Sequence, residues 1–159
     1  MPDRDVPVPG ITPGFPAAGP GHAAVNQIIT HLPPNLFEPL DTIHLAPAGY
    51  HLLIERDRCF AYSVDEPVHY SRPSIDVLFE SAADAYGAGL AGVMLTGASP
   101  DGAKGLMRIR QAGGLAIVQD PAEALASAMP QAALDQAGAD HCLPLARIAP
   151  LLNELAHRE

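Results

Sequence analysis

Basic residues are scarce in this chain: nine lysines and arginines stand against eighteen aspartates and glutamates, a formal charge of −9. Proteins that grip a phosphate backbone neutralise it with lysine and arginine, so nucleic acid is excluded as a partner. The acidic excess is read as serving solubility, with steering of a basic partner as the alternative. Cysteine is nearly absent as well. Cys59 and Cys142 lie far apart and without metal-ligand spacing, which argues against a disulfide framework and sets a cytoplasmic protein as the expectation. No apolar run approaches the ~20 residues of a membrane-spanning helix, and the opening residues lack a basic-then-apolar leader. Internal repeats and interior linkers are missing too. What is present is 159 residues, 48% hydrophobic and 17% charged. That length and balance suit one globular domain, able to bury roughly 68–70% of its unfolded surface.

Proline is concentrated at the front. Pro2, Pro7, Pro9, Pro13, Pro16 and Pro20 all fall in the first 24 residues. Val6 to Pro9 alternates like a strand, but a proline cannot donate to a sheet ladder, so this arm is read as extended, with at most an edge strand. Residues 25–159 have the character of a folded domain. Thr42–Ala46, Leu52–Glu55 and Phe60–Val64 read as short strands, with a turn at Pro47–Gly49. Ser74–Tyr86 is the clearest helix: Ile75, Leu78, Phe79, Ala82 and Tyr86 follow the 3.6-residue period, Ser74 can cap it and Gly87 can end it. Strand Leu90–Leu95, helix Gly102–Ala112, strand Leu115–Val118, a helix around Met129–Gln136, strand His141–Leu143 and helix Leu145–His157 follow. Strands alternating with helices predict an α/β fold with a doubly wound, mostly parallel sheet and helices on both faces.

The turn between Leu95 and Ala103 carries the most chemistry. An apolar strand runs into Thr96-Gly-Ala-Ser-Pro-Asp-Gly102, and a helical pattern starts at once. That places Asp101 at the carboxyl end of a buried strand, where open α/β sheets put their sites. Gly97 and Gly102 have the gap of a phosphate loop, but Ala103 occupies the lysine position and no Ser or Thr follows. Nucleotide binding is therefore the weakest reading. The alternatives for Asp101 are an acid that orients a catalytic histidine and a cap on the helix that begins at Gly102, worth ~1 kcal/mol.

Several stretches together resemble the catalytic domain of the CheB-type protein-glutamate methylesterases of chemotaxis. They are Ile43–Leu53, Ser71–Phe79, Gly92–Ala103, Ala112–Asp120, Ala128–Ala133 and Leu143–Ala149, in the family's order across Thr42–Leu152. Thr30-His-Leu-Pro-Pro34 is similar to the family's catalytic-histidine segment. The resemblance implies a Ser-His-Asp type triad, hydrolysis of glutamyl methyl esters on chemoreceptors and deamidation of glutamine. It implies no cofactor and no metal. Partners would be the methylated cytoplasmic segments of receptors, with other chemotaxis signalling proteins a further option.

Carried over by position, Asp101 is the triad acid, His31 the base and Thr12, in Gly10-Ile-Thr-Pro-Gly14, the nucleophile. Threonine in place of serine adds a methyl that restricts χ1 and crowds the attack. Between His31 and Thr42 the chain is shorter than the family leads one to expect, by about a strand-helix unit. No room is expected for the receiver domain that often precedes this domain. Ala98 replaces a methionine that helps frame the family's site. Activity is accordingly expected to be weak, and the rival reading is a catalytically impaired member that binds a receptor or partner. Ser99 and Ser71 stand as substitute nucleophiles and His69 as a substitute base. Arg72 is read as holding an acidic segment or a surface acid, and Asp120 as bracing the rim. Pro130 suits a helix's first turn.

Overall fold

The structure, a computed structural model, describes residues 28–30 and 43–157. Thr12, the proline-rich arm, His31 and the shortened segment after it lie outside the described residues, as do residues 158–159.

Seven strands and four α-helices follow one another in those residues. β1 (Ile28–Thr30) pairs antiparallel with β2 (Ile43–Leu45), Ile29 opposite His44. β3 (His51–Ile54) and β4 (Phe60–Ser63) form an antiparallel hairpin. α1 (Ile75–Tyr86) leads through a 3-10 turn, Gly87–Gly89, to β5 (Ala91–Met94). α2 (Ala103–Gln111), β6 (Leu115–Gln119), α3 (Ala128–Gln136), β7 (His141–Leu143) and α4 (Leu145–Ala156) complete the chain. β5, β6 and β7 lie side by side in that order and parallel, joined by α2 and α3 as crossovers. β1 and the 3-10 conformation of Gly87–Gly89 are the elements that periodicity and turn signals had not marked.

The apolar periods explain the layers. α1 packs on α2 and α2 on α3, and these helices meet the sheet through Met94, Ala116 and Val118. Ile75, Ala83, Leu106, Ile109, Met129 and Ala133 fill that core. Strand alternation turns Ile117 to the opposite face, where it is also buried, so β6 is covered on both sides as parallel strands require. α4 contacts β6 through a stripe whose one fully buried residue is Ile148. A second cluster, Leu52, Ile54, Leu78 and Ala82, ties the β3–β4 hairpin to the outer side of α1. Helix α1 is thereby held between the hairpin and α2. Its first turn ends up beside the loop that follows β5.

Candidate active site

The β5–α2 loop, residues 95–102, lies at the carboxyl edge of the parallel sheet. Its far end is set by Gly102, whose φ of 98° lies in the left-handed region. A Cβ there would come within 2.7 Å of Ile75 Cγ2 and of Met94 Cε, so only glycine fits both the backbone and the space. Its near end is stitched to the 121–127 loop. Thr96 Oγ1 accepts from Ala126 N–H at 2.7 Å, Gly97 N–H donates to Ala126 O at 2.9 Å, and Met129 N–H donates to Gly97 O at 2.9 Å. Gln119, buried at the end of β6, accepts from Thr96 N–H through Oε1 at 2.9 Å. Its amide donates to Glu123 Oε1 at 3.3 Å, and the same Glu123 oxygen accepts from Leu145 N–H at the start of α4. Asp120 braces its own turn by accepting from Ala122 N–H at 2.9 Å.

Asp101 is 3% exposed. Its carboxylate does not cap α2, the helix it precedes. It crosses to the start of α1. Oδ1 accepts from the Ser74 hydroxyl at 2.7 Å and from Asp76 N–H at 3.1 Å, and Oδ2 accepts from Ile75 N–H at 2.7 Å. A cap on α2, the alternative role read for Asp101 from sequence, is thus not found. Gly102 opens α2 with no side-chain cap of its own, and the left-handed turn carries the Asp101 side chain toward the neighbouring helix. The free N–H groups of a helix's first turn attract a carboxylate, and here they find one from another element. Asp76 returns the arrangement: its Oδ1 accepts from Gly105 N–H, in α2, at 2.6 Å. The two helix starts are clasped by exchanged carboxylates.

The surroundings of the clasp are polar and ordered. Ser74 is fully buried, and its hydroxyl, besides donating to Asp101, accepts from Val77 N–H at 3.5 Å. Its backbone N–H donates to His51 Nδ1 at 3.2 Å, so the proton of that ring sits on Nε2, which donates to Glu66 O at 3.0 Å. His69 Nε2 lies 3.4 Å from Asp76 Oδ2 with its ring about half exposed. Burial pushes the Asp76 carboxyl above its ordinary range; the Gly105 N–H pulls it down and the neighbouring Asp101 charge pushes it up again. Ser99 is taken up within the loop, where its hydroxyl accepts from Asp101 N–H at 3.2 Å. Among the described residues Arg72 has no surface acid as its partner. It donates to the carbonyls of Val64 and Asp65 at 2.9 and 3.1 Å, and its buried Nε has no hydrogen-bond partner among the described residues. The carbonyls win because the chain ahead of Pro73 folds back beside the end of β4.

Ser74 and His51 are the residues that sequence reasoning underrated. The helical period marked Ser74 as a cap, but nothing local in the chain told that its hydroxyl serves an acid 27 residues on. A groove of about 460 Å³ between Met107, Arg110 and Asp140 lies at the other edge of the sheet, by the start of β6. Arg110 there is already paired with Ala137 O and Asp140. Among the described residues no group of three or more His, Cys, Asp or Glu is gathered as metal ligands, and no helix is long and apolar enough to cross a membrane.

A parallel α/β sheet with a buried, triply bonded carboxylate at the carboxyl edge defines a domain of the class that builds its sites on that edge. The CheB methylesterase family model matches residues 35–152, about three quarters of the 159-residue chain, and the chain belongs to that family. A Leptospira interrogans protein named for protein-glutamate methylesterase/protein-glutamine glutaminase activity is 50% identical over 113 residues, 71% of this chain and 58% of its own length. Protein-glutamate methylesterase/protein-glutamine glutaminase 2 of Xanthomonas campestris is 44% identical over 109 residues, 66% of this chain and 31% of that protein. The chain thus spans little more than half of the first relative and under a third of the second. The crystal structure of the Thermotoga maritima CheB methylesterase catalytic domain superposes with a TM-score of 0.67 at 29% identity, covering 70% of this chain and 61% of that one.

Proposed function

We propose that this protein is a carboxylic ester hydrolase that releases methanol from glutamyl methyl esters on chemoreceptors, and deamidates glutamine there by the same route. The observation that carries the reading is the buried Asp101 carboxylate at the sheet's carboxyl edge, in a chain whose relatives are named for these activities. Among the described residues two donors meet Oδ1 and one meets Oδ2, so a second lone pair of Oδ2 could accept a histidine N–H. In this scheme Thr12 Oγ attacks the ester carbonyl while His31 takes its proton, and Asp101 holds the His31 ring in the tautomer that can accept it. Backbone N–H groups stabilise the oxyanion. His31 then returns the proton to the leaving methoxide, and water clears the acyl-enzyme by the same steps. The receptor's cytoplasmic segment is the partner, and the cytoplasm the place of action.

Thr12 favours a second reading. Pro7, Pro9 and Pro13 surround it and its methyl crowds attack, which suits a member that binds the receptor and turns over slowly. A misplacement of ~1 Å at the nucleophile costs about a hundredfold in rate. Methanol release from a methylated receptor by the wild type, Thr12→Ala and Thr12→Ser separates the two. The expected result is slow release, abolished in Thr12→Ala and raised in Thr12→Ser. Release untouched by Thr12→Ala rules Thr12 out as nucleophile, and Ser99 and Ser71 are then the positions to change.

A further inference from the structure

We propose that His69 is a pH-sensitive latch: with its ring protonated it pairs with the Asp76 carboxylate and holds the Val68–Ser71 turn on the clasped helix starts, and on losing the proton it releases that turn. The latch acts on the conformation of the turn and is independent of the reaction described above. Val68 and Ser71 face each other as an antiparallel pair, with Val68 N–H donating to Ser71 O at 3.0 Å and Ser71 N–H to Val68 O at 2.8 Å. The two residues between them, His69 and Tyr70, have φ of 49° and 62°. Two-residue hairpin turns of this left-handed form favour Asn and Gly, and other side chains enter it at a steric cost. Tyr70 is fully exposed, so burial of its ring does not offset that cost. The chain on either side is fixed separately, by His51 Nε2 on Glu66 O and by Arg72 on the carbonyls of Val64 and Asp65. What ties the turn itself to α1 is His69 Nε2, 3.4 Å from Asp76 Oδ2.

At 3.4 Å the contact is longer than an ordinary N–H···O bond, so charge rather than bond geometry holds it. The surroundings of Asp76 call for a cation. The carboxylate is buried, with the Gly105 N–H on Oδ1. The Asp101 charge on the β5–α2 loop and Glu80, one turn further along α1, both repel a charge on it. Lys104 of α2 attracts it but is paired with Glu80 at 3.1 Å. A protonated His69 supplies the missing charge from the solvent side, where its ring is half exposed. Histidine changes charge near neutral pH, so the pair exists between two limits. Raising the pH through the His69 titration removes the cation. Lowering it protonates Asp76, whose carboxyl burial pushes above the ordinary value near 3.8, and removes the anion. Between those limits the turn is latched.

The test is NMR of the full chain as a function of pH, following the His69 ring, identified by its loss in His69→Gln, together with the turn. A left-handed Tyr70 gives a strong cross-peak between its own amide and Hα, and the closed turn gives a cross-strand contact between Val68 and Ser71. In wild type both turn signals are expected to be strong while His69 is protonated and to be lost in step with its ring titration. Asp76→Asn keeps an acceptor for Gly105 N–H but no charge, and its turn signals are expected to be weak at every pH. In His69→Gln the step is expected to vanish. Turn signals that stay unchanged through the His69 titration in wild type overturn the latch, and so does a step of wild-type size in Asp76→Asn. Should Asp76→Asn not fold, His69→Gln decides alone: a turn that still releases over the same pH range answers to another group, the His51 ring first among them, and the latch fails.

Discussion

The starts of α1 and α2 are built from the same parts and end in different states. Each helix has its first-turn N–H groups met by an aspartate from the other, Asp101 for α1 and Asp76 for α2. Among the described residues Asp101 accepts three hydrogen bonds, one of them from a hydroxyl. Asp76 accepts one backbone bond and has the half-exposed His69 as its other neighbour, and burial drives its carboxyl upward. The difference lies in the number of donors. A carboxylate taken out of water is tolerated in proportion to the bonds that replace its hydration, and only the well-supplied one suits chemistry that needs an acceptor.

The comparison breaks most severely at Asp101. Asp101→Ala leaves the Ser74 hydroxyl and the Ile75 and Asp76 amides buried without their acceptor, and an unmet buried donor costs about 1–3 kcal/mol. Urea denaturation is expected to show a loss of several such increments. An acid whose one role is to orient a histidine would lose activity and keep its fold in Asp101→Asn. The geometry adds a structural cost. With its oxygen at the doubly bonded Oδ1 position, the asparagine NH2 faces the Ile75 N–H, donor against donor, so a loss of roughly 2–3 kcal/mol in stability should accompany the loss of activity. Asparagine as stable as wild type would show that the α1 amides do not depend on Asp101.

Next comes Gly102, which turns the loop so that the exchange can happen. Gly102→Ala combines a left-handed φ with a Cβ pressed on Ile75 and Met94, and is expected to cost about 1–3 kcal/mol in the same assay. An alanine variant of unchanged midpoint would mean that the clasp tolerates a shift of both neighbours.

Asp76 should give the smallest effect and the most diagnostic pH dependence. Its folded carboxyl titrates above the ordinary value near 3.8, so between those two pH values the folded state holds more proton than the unfolded one. Stability from this group therefore falls as pH rises through that window, and the cost is complete above the raised value. Asp76→Asn keeps an acceptor for Gly105 N–H and has no charge to bury, so it should be within about 1 kcal/mol of wild type at neutral pH and should lack this slope. Asp76→Ala loses the acceptor and should be less stable than Asp76→Asn. An unaltered slope in Asp76→Asn would assign the dependence to other groups.

Much of the fold was legible. Ile75, Leu78 and Ala82 set α1 by their period, with Ser74 and Gly87 at its ends as expected, and strand β7 falls on His141–Leu143 as read. Pro130 does sit in the first turn of α3. These signals are local, and short-range sterics and one-sided burial decide them. The place of Asp101 at a strand's carboxyl end was legible for the same reason. Its partner was not. Asp101 and Ser74 are 27 residues apart, and the distance between them is set by how α1 packs on α2. Arg72 shows the same limit: a surface ion pair was one expectation for it, and among the described residues its position supplies two carbonyls.

The amino-acid sequence by itself determined the order and extent of the helices and the parallel strands, the acid at the end of β5, and through its linked motifs the family. Each of these follows from residues near one another along the chain. Only the tertiary structure decided which helix start receives which carboxylate. That choice needed the close approach of α1 and α2, the left-handed turn at Gly102, and a buried histidine on a separate hairpin to hold Ser74 in place. Hydrogen-bonding groups removed from water take the nearest partner in space, and the chain settles what is near only after its apolar faces have packed.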